Sequence, residues 1–108
     1  MPELAYKIQA DYIKALAHPL RLQIIDFLKK GAQNVSSIVK ALDIQQSSLS
    51  RHLTILKENG ILEGRQQGLM IYYSIEDEDI FRVLQPIRIL LSKKLKKTEA
   101  ALNSLGKT

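Results

Sequence analysis

Two helical segments of this 108-residue chain lie so close together that only a tight turn can join them. One apolar stripe ends at Leu42, and the next consists of Leu49, Leu53 and Leu56. Apolar residues at i, i+4 and i+7 mark the buried face of a helix. Asp43 therefore falls in a short turn between two helices.

The period of the pattern changes after the second of these helices. Asn59-Gly60 is a strong signal for the end of a helix. The segment ILEGRQQGLMIYYSI then places β-branched and aromatic residues on both sides of RQQG, which predicts two strands joined by a turn at Gln66 to Gly68. A helix-turn-helix followed by a β-hairpin is the pattern of a winged helix-turn-helix.

Helical stripes also flank this unit. A first helix is predicted over residues 3–16, and a second begins at Pro19, which suits the first turn of a helix. A last stripe predicts a helix over about 78–104, in which Pro86 predicts a kink, or a break near Leu84. The two ends offer more apolar surface than a small core can cover, so we expect a homodimer.

The expected fold is therefore mainly α with a small two-stranded β-hairpin, in the order α-α-α-α-β-β-α, and its long C-terminal helix serves dimerisation. We predict a single winged-helix DNA-binding domain over residues 1–108. Its recognition helix covers about 45–59 and its wing about 61–75.

Composition narrows the partners and the compartment. The net charge of +5, from 16 Lys and Arg against 11 Asp and Glu, favours an anionic partner such as nucleic acid or a membrane surface. No apolar run approaches the ~20 residues of a membrane span. The N-terminal residues have no basic flank followed by an apolar core, so we expect a cytoplasmic protein with no membrane partner. The lysines between 93 and 97 form either a solvated face or an additional phosphate contact.

The stretch QQSSLSRHL, residues 45–53, surrounds two leucines with side chains that donate and accept hydrogen bonds. Gln can pair with adenine, Arg with guanine or phosphate, and Ser with phosphate or base edges. A merely solvated helix would more usually carry Glu and Lys at i, i+4. We therefore predict that this helix reads double-stranded DNA through Gln45, Gln46, Ser47, Ser48, Ser50, Arg51 and His52.

Three segments together, LAHPLRLQIIDFL, QQSSLSRHLTILKENGIL and RQQGLMIYYSI, resemble the ArsR (ArsR/SmtB) family of bacterial and archaeal winged-helix repressors. The resemblance covers roughly residues 10–92. It implies a homodimer that represses an operon and releases DNA when a signal arrives, with the first and last helices at the dimer interface. The recognition motif of the family falls on residues 46–52, and its wing motif falls on Arg65, Gln66, Gln67 and Gly68, which adds the wing to the predicted DNA contacts.

The chain departs from the family pattern at three places. Gln45 stands where a Ser or Thr often caps the recognition helix, which predicts a less well capped helix start. Asp43 replaces a usual glycine of the turn, and aspartate tolerates the left-handed conformation. Leu69 and Met70 replace the cations that often follow Gly68, which leaves Arg65 as the main cation of the wing.

No metal site or other cofactor is expected. The chain has no cysteine, and from residue 85 onward it has neither His nor Asp, so both kinds of family metal site lack their ligands. The two histidines are far apart in the sequence and too few for zinc, which needs three or four ligands. We interpret His18 as a residue at the start of the second helix and His52 as a DNA or capping contact. Arg21 is predicted either to form a structural ion pair or to contact phosphate.

The sequence therefore predicts a sequence-specific DNA-binding transcriptional regulator, a homodimeric repressor on an inverted-repeat operator. The alternative is a winged-helix module that binds protein without specific DNA binding, to which the apolar residues Leu69 and Met70 are suited. No glycine-rich phosphate loop or nucleophile motif occurs, so we do not expect an enzyme. No residue pattern identifies an effector.

Overall fold

The structure, a computed structural model, describes residues 1–106 and divides the chain into two compact units. The first unit is Met1–Asp77, and the second begins at Glu78. The elements in chain order are α1 (Glu3–Leu16), α2 (Pro19–Leu28), β1 (Gln33–Asn34), α3 (Val35–Leu42), α4 (Gln46–Glu58), β2 (Leu62–Gln67), β3 (Met70–Ile75) and α5 (Ile80–Gly106). The predicted order of helices and hairpin is confirmed, and β1 is an addition to it.

The turn between α3 and α4 has the geometry that the sequence predicts. Asp43 adopts the left-handed conformation, with φ 51° and ψ 56°, and it is the one non-glycine residue with positive φ among residues 1–106. Its backbone N–H bonds to the carbonyl of Val39, which closes the last turn of α3. At the other end of α3, the Asn34 side chain accepts a hydrogen bond of 2.8 Å from the N–H of Ser37. Both ends of this short helix are thus fixed by local bonds.

The core of the first unit is formed by apolar side chains from four helices and the first residues of the wing. Leu49, Leu53 and Leu56 of α4 are almost completely buried, as their spacing predicts. The other core residues of this unit are Ala15, Leu16, Ile24, Ile25, Leu28, Ile38, Ile61 and Leu62. Burial of a large apolar side chain stabilises a fold by about 1.5–3 kcal/mol, so this stripe holds α4 in place while its other face stays in solvent.

The hairpin belongs to a three-stranded antiparallel sheet with the order β1-β3-β2. The two residues of β1 pair with Tyr72 and Tyr73 of β3. The turn of the hairpin is later than predicted, because β2 continues through Gln67, which pairs with Met70. Gly68 has a φ of 62° at the first position of this two-residue turn, where type II′ hairpin turns place glycine.

The second unit consists of the long helix α5 and the residues just before it. The helix continues through Pro86, so the predicted alternative of a break near Leu84 is wrong. Ile80 and Leu84, in its first turns, are buried. Farther along, many apolar side chains are exposed, among them Leu91 and Leu95. Among the residues that the structure describes, no helix combines the length and apolarity needed to cross a membrane.

Candidate nucleic-acid interface

The N-terminal half of α4 presents a polar face opposite its buried leucines. Five of the seven predicted contact residues on this helix are exposed, namely Gln45, Gln46, Ser47, Ser50 and Arg51. Ser48 and His52 are half-buried at the edges of the face. With 3.6 residues per turn, Ser47 and Arg51 lie most nearly opposite the leucine stripe. Most of the residues that the sequence singles out are therefore accessible to a partner.

The start of α4 has free backbone donors as well as polar side chains. Gln45 occupies the N-cap position, and its side chain makes no capping hydrogen bond, which agrees with the less well capped start that the sequence predicts. The first intrahelical bond runs from the N–H of Leu49 to the carbonyl of Gln45. The N–H groups before it have no partner inside the helix, and the helix dipole favours an anion at this end. Such a helix start can bind a phosphate group.

Thr54 is exposed on the same helix one turn beyond Ser50, and sequence reasoning missed it. Its hydroxyl donates to the carbonyl of Ser50 at 2.9 Å. The i+3 spacing from Arg51 was the signal that could have found it. Thr54 extends the polar face toward the middle of α4.

Arg21 of α2 connects the recognition helix to the end of α1. Its Nε donates to Nδ1 of His52 at 3.1 Å. Its Nη1 donates to the carbonyl of Ala15 at 3.3 Å and lies 3.5 Å from that of Lys14. Among the described residues the guanidinium has no carboxylate in salt-bridge range and is engaged by a histidine and by helix-terminal carbonyls, so the predicted ion pair is not formed there. A phosphate contact through its remaining donors stays a prediction. Carbonyls at a helix C-terminus attract a cation through the helix dipole.

The two histidines, which are far apart in the sequence and from which no contact was expected, are neighbours in the structure. Their ring centroids are 4.4 Å apart, with the planes tilted by 52°. His18 caps α2, since its Nδ1 accepts a hydrogen bond of 3.1 Å from the N–H of Leu20, in agreement with its predicted place. Because Nδ1 of each ring accepts a hydrogen bond, a neutral ring carries its proton on Nε2. The tautomers are thus assigned from the hydrogen bonds. In each ring the Nε2–H donor lies on the side away from the bonded Nδ1.

The surroundings of His52 favour its neutral form. Partial burial lowers the pKa of His52 below its ordinary value of 6.5, and electrostatic interactions with His18, Arg21 and Arg51 lower it further. Protonation of Nδ1 would also oppose the donor group of Arg21.

Within residues 1–106 no three side chains of His, Cys, Asp or Glu come together as a metal site would require.

The predicted wing residues lie on two faces of the hairpin. Arg65 pairs with Tyr72 across the sheet, and Gln67 follows it on the same face, because alternate residues of a strand point the same way. Gln66 lies on the other face, where its Nε2 donates to the carbonyl of Gly68 at 3.3 Å. The guanidinium of Arg65 is 3.8 Å from a carboxylate oxygen of Glu63, and both side chains are largely in solvent. An exposed ion pair of this kind is weak and can exchange for a phosphate.

The tip of the wing is apolar. Leu69 is fully exposed, at 103% of its reference area, while Met70 and Ile71 are exposed by 45% and 44%. Lys57, near the end of α4, has its amine 3.6 Å from the position that a Cβ would take at Gly64. Cations thus lie near the base and the middle of the hairpin, and the tip carries none.

Comparison with known proteins identifies relatives of the whole fold. A sequence model described as bacterial regulatory protein, arsR family, matches residues 18–63. Rv0081 of Mycobacterium tuberculosis, an uncharacterized HTH-type transcriptional regulator, is 32% identical over 104 residues, which are 95% of this chain and 91% of that protein. The transcriptional repressor PagR of Bacillus anthracis is 41% identical over 83 residues, 73% of this chain and 83% of PagR.

Solved structures agree with these sequence matches. The crystal structure of Rv0081 superposes with a TM-score of 0.80 at 31% identity, covering 89% of this chain and 97% of that one. The solution structure of a fragment of Mb0332 from Mycobacterium bovis, described as a homodimeric winged helix-turn-helix DNA-binding domain, gives a TM-score of 0.75 at 32% identity and covers 83% of each chain.

Proposed function

The chain belongs to the arsR family of bacterial regulatory proteins, and from this premise we propose that it is a homodimeric repressor of an inverted-repeat operator. Membership makes it a transcriptional regulator with a winged helix-turn-helix fold and not an enzyme. The observation that carries the proposal is the polar face of α4, backed by the buried leucines. Because a transcriptional regulator of bacterial type must reach DNA, we propose that it is cytoplasmic.

The contacts with DNA divide into two kinds. Gln46 and Arg51 are exposed on α4 and carry the bidentate groups that read base edges in the major groove. Ser47, Ser48 and the N–H groups at the start of the helix fix its position against phosphate. His52 is held by Arg21 and offers its Nε2–H to phosphate. Arg65, Gln66 and Gln67 add contacts from the wing.

A homodimer explains the apolar faces that the described residues leave exposed. In α1, the side chains of Leu4 and Ile8 are exposed by 67% and 61%, and in α5 those of Leu91 and Leu95 are exposed by 51% and 68%. Patches of this kind on a soluble regulator mark an interface. Two-fold symmetry then predicts an inverted-repeat operator whose half-sites are about one helical turn apart, roughly 34 Å, or a multiple of it.

The test begins with selection of bound duplexes from a random pool by the purified protein. Affinity for the selected duplex and for a random one is then measured for Gln46→Ala, Arg51→Ala and Arg65→Ala. Each base contact should be worth about 1–3 kcal/mol, and at least one of the two α4 variants should lose its preference at a defined base pair. Arg65→Ala should weaken both duplexes alike, since a wing cation chiefly meets phosphate.

Gln23→Ala and Arg82→Ala are matched controls, because both side chains are exposed and neither lies on α4 or the wing. They should bind like the parent protein. If all the interface variants also bind like the parent, the proposed interface is wrong. If the parent protein shows little affinity for any duplex, the alternative is favoured, a winged-helix module that binds protein.

A further inference from the structure

The wing tip has an unusual combination of shape and chemistry. Leu69 stands at the second position of a two-residue turn, fully in solvent, and Met70 follows it at the start of β3. The polar residues Gln66 and Gln67 precede the turn, and Arg65 lies behind them on β2. From the tip of the hairpin toward its base, an apolar side chain is thus followed by two amide side chains and then by a cation.

The exposed apolar area at the tip is too small for a stable protein interface. Leu69 with half of Met70 and Ile71 offers on the order of 300 Å², whereas a standard interface buries ~800 Å² on each partner. Proteins that bind the minor groove of DNA use the same set of groups as this tip. They read the groove with Arg and Gln and insert apolar side chains such as Leu or Met between base steps.

The length of the hairpin suits a position of its tip in the minor groove. Each of its strands has six residues, so the hairpin is about 20 Å long at ~3.3 Å per residue. It begins directly after α4, whose polar face is assigned to the major groove. The neighbouring minor groove is half a helical turn away, roughly 17 Å along the DNA axis. Its width of ~6 Å admits the tip of a turn but not a helix.

Building on the proposed function, and with the wing tip taken to lie in the minor groove as in winged helix-turn-helix proteins generally, we propose that Leu69 wedges against a base step and bends the DNA. The side chain makes no hydrogen bond to a base, so it selects sequence through deformability. Pyrimidine–purine steps such as TA and CA unstack most easily. The operator should therefore carry such a step about half a turn from each contact of α4, at a position without base-specific hydrogen bonds.

The test uses the full chain and the duplex selected as described above. Affinity is measured together with the bend angle, from energy transfer between dyes at the two DNA ends, and with the fluorescence of 2-aminopurine at the predicted step. The variants are Leu69→Asn, which suits a turn but is polar, and Leu69→Met, which keeps an apolar wedge. Melting curves equal to that of the parent show that each variant is folded.

We expect Leu69→Asn to lose the bend and the 2-aminopurine signal and to bind about 5- to 20-fold more weakly, while Leu69→Met stays within about twofold of the parent. Leu69→Lys should recover affinity at low salt without the bend. The slope of the logarithm of its DNA affinity against the logarithm of salt concentration should be steeper by about one, because a lysine adds one phosphate contact.

Several results would overturn the wedge. One is a Leu69→Asn protein that binds and bends DNA like the parent, and another is weaker binding with an unchanged bend. A Leu69→Asn protein that keeps full DNA binding but fails to repress a reporter in cells would indicate a protein partner at the tip. Arg51→Ala separates this inference from the proposed function. If Arg51→Ala binds DNA weakly while Leu69→Asn binds and bends it like the parent, the wedge is refuted and the proposed function stands.

Discussion

Replacing Arg21 with alanine should loosen the recognition helix and destabilise the first unit. The guanidinium joins three elements, since it donates to His52 on α4 and to the carbonyl of Ala15 at the end of α1 while its own stem belongs to α2. Alanine removes all of these donors at once. Nδ1 of His52 and the Ala15 carbonyl then lose their partners in a partly buried place.

The magnitude follows from how far water can reach the groups left behind. An unsatisfied buried polar group costs about 1–3 kcal/mol. Both Arg21 and His52 are half-buried, so each of the two groups is assigned the low end of that range. The carbonyl of Lys14 lies at 3.5 Å in an exposed bond and adds little. The expected loss is about 2 kcal/mol, or roughly 8–16 °C in melting temperature for a unit of this size.

The assay is urea denaturation at pH 7.5, at one protein concentration for all variants because association would change apparent stability. Arg82→Ala is the matched control. Arg82 forms an exposed ion pair with Asp79 at 3.4 Å, and such pairs contribute about 0–1 kcal/mol. Arg21→Lys should recover less than half of the loss, since an ammonium group cannot reproduce the planar fork.

An Arg21→Ala protein that is destabilised no more than Arg82→Ala would show that Arg21 does not hold these elements together. An Arg21→Lys protein as stable as the parent would contradict the role of the planar fork, because a point charge would then be sufficient.

Three further predictions concern pH, assembly and metals. The pKa of His52 is lowered by burial and, after it, by His18, Arg21 and Arg51, so the unfolded chain takes up the proton at a higher pH than the folded one. The folded protein should therefore lose stability as the pH falls below 6.5. The loss should be smaller in His52→Asn, whose amide oxygen can still accept a hydrogen bond from Arg21. Urea curves at pH 7.5 and 5.5 measure this difference, and equal losses in both proteins would contradict it. Leu91→Glu should weaken dimerisation and operator binding together, as followed by sedimentation and by gel shift; a stable monomer of the unaltered protein would exclude the dimer. Micromolar zinc, nickel, copper or arsenite should leave operator affinity unchanged, since residues 1–106 bring no three metal-ligating side chains together; a stoichiometric metal that releases DNA and is reversed by a chelator would disprove this.

Local sequence signals predicted the helix-turn-helix well because they act over a few residues. The spacing of Leu49, Leu53 and Leu56 predicted which face of α4 is buried, and all three are buried. The turn at Asp43 and the weaker capping at Gln45 were also predicted, and the structure agrees with both: Asp43 is left-handed and Gln45 makes no side-chain cap. Each of these features depends on a residue's own conformational preference or on its neighbours within one helical turn.

Features that depend on distant parts of the chain were not predicted. The strand β1 has two residues, too few for a period, and it exists because Gln33 and Asn34 pair with β3. The hairpin turn falls later than expected because Gln67 pairs with Met70 and extends β2. The meeting of His18 and His52, 34 positions apart in the sequence, depends on how α2 packs near α4, which no spacing rule contains.

In α4 one set of residues packs in the core and another faces solvent, and this division makes the sequence of the helix informative about function. The buried leucines fix the helix, and the exposed residues of its first half are not part of that core. Such a face can accept almost any polar residue, so a face of Gln, Ser and Arg in place of Glu and Lys favours the proposed DNA partner. His52 is the exception, since Arg21 holds its Nδ1 while its Nε2–H remains available as a donor. Substitutions at Gln46 or Arg51 should therefore change DNA affinity with little change in stability, whereas substitutions at His52 should change both.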